Sequence, residues 1–114
     1  MPHNREWKMR IDDILESIRK INSFTKDHAF QTFISDEKSI DAVIRNFEVI
    51  GEAASNVPEE IKAKFPSIPW EEMKGMRNIL IHEYFGVSLS TIWKTIETDL
   101  PSLLAALREI QKEK

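Results

Sequence analysis

The spacing of apolar residues constrains the fold of this chain more than any other feature. Apolar side chains recur at intervals of three or four residues along nearly the whole chain, which is the period of an amphipathic helix. Only three glycines and five prolines interrupt this pattern, and no Asn-Gly or Asp-Gly pair predicts a hairpin. We therefore predict an all-α fold: an up-and-down bundle of four to five main helices, mostly antiparallel because the connections are short.

The same pattern predicts where the helices begin and end. In the first half of the chain we expect a helix of about 18 residues from Trp7 past Ile21, a short helical stretch with Phe30 and Phe33 capped by Asp27, and a long helix that begins at Ser35 or Asp36. A short helix from Pro58 to Phe65 follows, and then a helix from Trp70 to about Phe85 that ends at Gly86. The helical pattern begins again at Ser88 or Ser90, and a last helix has Pro101 in its first turn.

Composition limits the possible functions. A chain of 114 residues is expected to form a single domain, residues 1–114. The absence of cysteine excludes disulfides, thiolate zinc sites and cysteine nucleophiles, and it fits a cytoplasmic protein. No apolar run is long enough to span a membrane. The net charge of −3 is not typical of a protein that coats nucleic acid, so any RNA chemistry must depend on a local cluster.

One segment, residues 75–86, contains residues suited to chemistry. On an ideal helix with Arg77 at 0°, Asn78 lies near 100° and His82 near 140°, while Tyr84 lies near 340°. Asn78 and His82 are thus neighbours at i, i+4, and Tyr84 is almost in line with Arg77. The helix is apolar on two sides, so one side can pack in its own bundle while the other needs a cover.

A second copy of the chain is the simplest cover for that apolar side. Arg77 and His82 lie roughly 140° apart on an ideal helix, so one subunit presents them imperfectly to a single phosphate. A two-fold dimer through this helix would supply two of each residue around one groove. We therefore expect a homodimer with Arg77, Asn78, His82 and Tyr84 at its interface.

Such a groove is suited to RNA cleavage without a metal or other cofactor. The sequence has no Gly-rich phosphate loop and no His-x-x-x-His or paired-Cys metal site. RNA supplies its own nucleophile, the 2′-hydroxyl. Histidine titrates near neutral pH and can move the proton, while arginine can balance charge on the phosphoryl oxygens. Asn78 can orient the imidazole or bind phosphate.

Spacing alone leaves structural roles open for these residues. His82 can be a partly buried, hydrogen-bonded histidine, and Tyr84 can be an aromatic at the edge of the core. Glu48 and Glu52 are expected to be solvated, with a smaller chance that they line the groove. His3 and His28 are assigned no role.

The segment and its flanks resemble a known family. The matching residues are Arg45 to Ala53 on the long helix, Pro58-Glu59-Glu60, Pro69-Trp70, Met73 to Asn78, Leu80 to Gly86, and Trp93 to Pro101. In this context the motif Arg-Asn-x-x-x-His-x-Tyr is fairly specific. The chain resembles the HepT-like toxins of the HEPN (higher eukaryotes and prokaryotes nucleotide-binding) superfamily over about residues 8 to 110.

The resemblance implies a homodimeric, metal-independent endoribonuclease that is the toxin of a type II or type VII-like toxin–antitoxin pair. Its catalytic residues would be Arg77 and His82, with Asn78 following the arginine. The implied antitoxin is a minimal nucleotidyltransferase that can transfer AMP to Tyr84. AMP there would add bulk and negative charge beside Arg77, where RNA phosphate would bind.

Two other functions remain open at this point. The chain can be a non-catalytic nucleotide- or substrate-binding partner of a nucleotidyltransferase, which fits its acidic charge. It can also be a helical dimerisation module, in which case Arg77 and His82 have no role in cleavage or ligand binding.

Overall fold

Helices form all the regular structure of the described residues. A computed structural model describes residues 2–82 and 88–112, with side chains for 6–77 and 88–112. Its elements are α1 (Pro2–Thr25), α2 (Phe30–Phe33), α3 (Glu37–Ser55), α4 (Glu59–Lys64), α5 (Trp70–His82), α6 (Leu89–Lys94), a π-helical turn (Thr95–Asp99) and α7 (Leu100–Gln111). The prediction of an all-α bundle is confirmed.

Helix α3 lies at the centre of the bundle. It packs against α1 on one side and α5 on another, and α1 also contacts α7. The predicted apolar faces form the core, since α1 buries an isoleucine every three or four residues, and α3 buries matching positions. The buried residues of these two faces include Ile11, Ile14, Ile18, Ile21, Val43, Phe47 and Ile50.

The starts of the first helices agree in part with the sequence analysis. Asp36 caps α3, accepting a hydrogen bond from the Ser39 backbone N–H, as predicted. The cap of α2 is Ala29 rather than Asp27: the hydroxyl of Thr32 accepts from the Ala29 N–H at 3.0 Å. Helix α1 has 24 residues instead of about 18, because it begins at Pro2, a residue compatible with a first turn.

The C-terminal part of the chain is one helical run from Leu89 to Gln111. The sequence predicted a separate helix with Pro101 in its first turn, and Pro101 does lie there. The backbone before it stays helical, however, through the π-helical turn Thr95–Asp99. Proline has no N–H and its ring crowds the carbonyl four residues earlier, here Glu97, so a wider turn accommodates it.

Helix α5 carries the candidate site and has a well-defined start. Pro69 precedes it, Trp70 anchors its first turn, and Glu71 and Glu72 place carboxylates near its positive end. The predicted extension to Phe85 and the stop at Gly86 lie outside the described residues. No helix in the described part of the chain combines the length and the hydropathy needed to cross a membrane.

Candidate functional site

The two helices that form the site come unusually close at Gly51 of α3. A Cβ atom added at Gly51 would lie 2.2 Å from the Cβ of Arg77 and 2.8 Å from the carbonyl oxygen of Met73. Both distances are far shorter than van der Waals contact. Glycine is therefore the residue that lets α5 pack against α3 at this point, with Arg77 at the place of closest approach.

The residue after this glycine contacts the arginine side chain. Oε2 of Glu52 lies 3.1 Å from Nε of Arg77, which is an ion pair. The Arg77 side chain is 29% exposed, whereas that of Glu52 is 60% exposed. The arginine is therefore partly buried at its inner nitrogen, and Glu52 approaches it from the solvent side.

Arg77 opens onto a groove between three helices. The groove has a volume of about 280 Å³, and α1 contributes Arg10 and Asp13 to it, while α3 contributes Arg45, Glu48 and Glu52. Three arginines thus face three carboxylates. This local balance matches the modest net charge of the chain and makes the groove a mixed-charge surface rather than a strongly basic one.

For Asn78 and His82, the other predicted site residues on α5, the structure describes the backbone but not the side chains. Asn78 and His82 both lie on α5, one and five residues after Arg77, as predicted. Their side chains lie outside the described part, so the arrangement of guanidinium and imidazole stays a prediction. Tyr84 lies outside the described residues altogether.

His28 has a structural setting at the junction of α2 and α3. Its Nδ1 lies 2.9 Å from the hydroxyl of Thr32, and its Nε2 lies 3.3 Å from Oδ2 of Asp36. The pKa of Asp36 is held below its usual range, mainly by hydrogen bonds from the hydroxyl and the N–H of Ser39, with His28 adding to the effect. These contacts stabilise the start of α3.

A second cavity lies beside α5 on a face without Arg77. It has a volume of about 440 Å³ and lies between α3, α5, the π-helical turn and α7. Its wall is mainly apolar, with Phe47, Met73 and Leu103, and carboxylates of Glu72 and Asp99 also line it. No group of three or more His, Asp or Glu side chains within the described ranges is arranged to hold a metal ion.

Sequence reasoning underestimated the contribution of α3. Glu48 and Glu52 were expected to be solvated, with a smaller chance that they line a groove between two subunits. Glu52 is exposed, at 60%, as expected, and both glutamates line the groove within one chain, where Glu52 pairs with Arg77. No packing role of its own was predicted for Gly51. The available signal was a glycine inside a strongly periodic helical segment, which indicates close packing.

The described residues thus form an all-α bundle in which a partly exposed arginine, Arg77, lies at a groove between three helices. A family model described as "Ribonuclease HepT-like" matches residues 14–110. The chain therefore belongs to the HepT-like ribonuclease family.

Individual relatives match this chain over most of its length. A protein of Thermococcus cleftensis named "Probable ribonuclease HepT" is 44% identical, over 95% of this chain and 98% of the relative. A protein of Methanocaldococcus jannaschii named as a putative RNase is 43% identical, over 87% and 91% of the two chains. A further protein named as a putative RNase, from Caldanaerobacter subterraneus subsp. tengcongensis, is 41% identical, over 91% of this chain and 94% of the relative. No solved structure shows a significant match.

Proposed function

We propose that this chain is a metal-independent endoribonuclease and the toxin of a toxin–antitoxin pair. The observation that carries the proposal is the family match over residues 14–110, which includes the whole of α5 with Arg77, Asn78 and His82. The position of Arg77 at a groove supports it, because a partly exposed guanidinium can reach a phosphate.

The reaction follows from the chemistry of RNA. The 2′-oxygen attacks the adjacent phosphorus, so a P–O2′ bond forms while the P–O5′ bond breaks. One His82 imidazole takes the 2′-hydroxyl proton, and the other, from a second subunit, gives a proton to the leaving 5′-oxygen. Arg77 balances the charge that develops on the non-bridging oxygens. The products are a 2′,3′-cyclic phosphate and a 5′-hydroxyl.

This mechanism needs two copies of the chain. Arg77 and His82 are five residues apart on one helix, so their side chains diverge by roughly 140°. A homodimer through α5 would bring two of each to one cleft, with Asn78 orienting an imidazole or binding phosphate. Sedimentation of the purified protein should give the mass of a dimer, and a monomer that cleaves RNA would contradict this part of the proposal.

The proposed antitoxin is a nucleotidyltransferase that transfers AMP from ATP to the hydroxyl of Tyr84, with release of pyrophosphate. The AMP phosphate would then lie close to Arg77, because the two residues are seven positions apart and almost in line on a continued helix. The phosphate of RNA would be displaced from the same guanidinium.

The test is cleavage of a defined RNA by purified protein and its variants. His82→Ala and Arg77→Ala should each lower the rate by at least about 100-fold, the scale of an acid–base contribution. The controls are His3→Ala, which changes a histidine with no assigned role, and Arg108→Ala, an exposed arginine on α7. Undiminished cleavage by the His82 variant would reject the mechanism, and saturable nucleotide binding without cleavage would favour a non-catalytic partner subunit.

A further inference from the structure

Two consecutive residues of α3 act on the same arginine of α5. Gly51 lets the Cβ of Arg77 come to a distance that no larger residue tolerates, and Glu52 contacts the Nε of that arginine at 3.1 Å. We propose that Gly51 and Glu52 are positioning residues for Arg77, which set the depth of its backbone and the direction of its guanidinium. This inference rests on the proposed function, in which Arg77 contacts the scissile phosphate.

The glycine is explained by packing rather than by backbone conformation. Gly51 lies inside α3, where the backbone is regular and alanine is the preferred residue. Gly75, on α5, provides a comparison because a Cβ added there meets no atom of the described residues within 4 Å. A Cβ at Gly51 would therefore strike the neighbouring helix that bears Arg77, whereas a Cβ at Gly75 would strike no described atom.

The contact at Gly51 cannot be relieved by a side-chain rotation. The atoms closest to an added Cβ are the Cβ of Arg77 and the carbonyl oxygen of Met73, which are fixed to the backbone of α5. An alanine at position 51 must therefore push α5 away from α3. A shift of that kind moves Arg77 relative to Glu52 and to the groove.

The glutamate acts on the flexible part of the arginine. An arginine side chain has several rotatable bonds, and it loses effectiveness when the guanidinium is free to take many directions. Oε2 of Glu52 lies 3.1 Å from Nε, the guanidinium nitrogen nearest the backbone, and pairs with this buried nitrogen through charge attraction rather than through a hydrogen bond. The guanidinium is thereby oriented before substrate binds, which is the condition for effective electrostatic stabilisation.

Glu52 could also act in the opposite direction, as a competitor for the guanidinium. A carboxylate that only competes with phosphate would weaken RNA binding, so its removal would lower KM or raise the rate. A positioning carboxylate predicts a lower kcat instead. The two roles therefore differ in sign and can be separated by steady-state kinetics.

The kinetic experiment compares Glu52→Ala, Glu52→Gln and Glu60→Ala in RNA cleavage. We expect Glu52→Ala to lower kcat by about 10- to 100-fold with little change in KM, because a small misplacement of a group that contacts the reacting atoms costs rate on this scale. Glu52→Gln keeps the length and shape of the side chain but removes its charge, so it should lose most of the same kcat, because the contact is an ion pair. Glu60, an exposed glutamate on α4, serves as the control and should behave as the unmodified protein. An unchanged or increased kcat in Glu52→Ala would overturn the proposal.

A double-variant measurement shows whether Glu52 acts through Arg77. When Arg77→Lys is already present, Glu52→Ala should cause a much smaller further loss of kcat than it causes alone. Full additivity of the two losses would mean that Glu52 acts elsewhere and would overturn the inference.

The glycine is tested by Gly51→Ala, with Lys38→Ala, an exposed residue in the first turn of the same helix, as the control. Gly51→Ala should lower kcat, whereas Lys38→Ala should behave as the unmodified protein. Equal losses in the two variants would contradict a specific role for Gly51. Should Gly51→Ala not fold, the Glu52 variants still test the proposal.

A spectroscopic readout separates this inference from the proposed function. The Nε–H signal of Arg77 in a ¹H–¹⁵N correlation spectrum should be protected from exchange in the unmodified protein and lose protection in Glu52→Ala. An unprotected signal in the unmodified protein would overturn the positioning role even if RNA is cleaved. A protected signal in a protein that cleaves no RNA would instead reject the proposed function.

Discussion

The indole Nε1 of Trp70 donates a hydrogen bond to the carbonyl oxygen of Phe65, at 3.0 Å. This contact joins the end of α4 to the first residue of α5, so it fixes the start of the helix that carries Arg77. Trp7 provides a comparison, because it is equally buried, at 6% exposure, but its Nε1 has no hydrogen-bond partner among the described residues.

We predict that Trp70→Phe destabilises the protein more than Trp7→Phe does. Both changes remove the same atoms, but only the first breaks a hydrogen bond, which is worth about 0.5–1.5 kcal/mol net. The Phe65 carbonyl still accepts from the Ile68 N–H at 3.2 Å, which keeps the difference within that range. Urea unfolding of both variants measures it, and equal free energies of unfolding would show that the indole contact contributes nothing.

The buried face of α1 should be far more sensitive than its exposed face. Ile18 is fully buried in the core, whereas Met9, on the same helix, is 58% exposed. Ile18→Ala should lower the free energy of unfolding by about 2–5 kcal/mol, because it removes buried carbons and leaves a cavity. Met9→Ala should change it by less than about 0.5 kcal/mol. Chemical denaturation checks both, and a large effect of Met9→Ala would indicate that this face is covered by a partner.

The fold was predictable where it depends on local pattern. Periodic apolar residues such as Ile11, Ile14 and Ile18 predicted the core face of α1, and Asp36 predicted the start of α3. Helix ends were less predictable. The hydroxyl of Thr32 caps α2 from inside the helix, and no rule based on the preceding residue finds such a cap. The π-helical turn before Pro101 depends on how the whole helical run packs.

The candidate site was predictable only within one helix. Arg77 could be singled out because its neighbours on α5 form a pattern that can be read from consecutive residues. Its contact with Glu52 joins residues 25 positions apart, and helical periodicity carries no information about which two helices touch. Gly51 gave the one sequence signal of a contact between helices, because a glycine within a helix indicates close packing. It did not indicate which helix packs there.

The stability of the protein should depend on the charge of Asp36. The folded state holds the pKa of this carboxyl below its usual range through hydrogen bonds from Ser39, so the unfolded chain binds its proton more readily. The contribution is therefore complete at neutral pH and is lost as the pH falls from the usual aspartate range through the lowered pKa.

Asp36→Asn tests this dependence because asparagine keeps a capping oxygen and does not titrate in this range. Unfolding measured over acidic to neutral pH should show a smaller loss of stability on acidification in the variant than in the unmodified protein. Asp27→Asn, an exposed residue of the turn before α2, serves as the control and should retain the full pH dependence. Identical pH profiles for Asp36→Asn and the unmodified protein would contradict the assignment.

Co-expression with a nucleotidyltransferase should modify Tyr84. The proposed transfer adds one or more AMP groups, which intact-mass spectrometry detects and peptide fragmentation assigns to a residue. Tyr84→Phe removes the acceptor hydroxyl and should stay unmodified while it retains RNA cleavage. Full neutralisation of the unmodified protein without any added mass would show that binding alone is sufficient.

The chemistry at RNA should require the 2′-hydroxyl and no added metal. Cleavage in excess EDTA should proceed at the rate seen without it, because His82 and Arg77 supply proton transfer and charge balance in the proposed mechanism. A substrate with a single 2′-deoxy substitution on the 5′ side of the cleaved bond should resist cleavage at that bond, since its nucleophile is missing. The remaining bonds serve as an internal control within the same molecule. Products that carry a 2′,3′-cyclic phosphate support this route, whereas cleavage at the deoxy position, or a strict need for a divalent cation, would require an external water as nucleophile and a different role for the groove at Arg77.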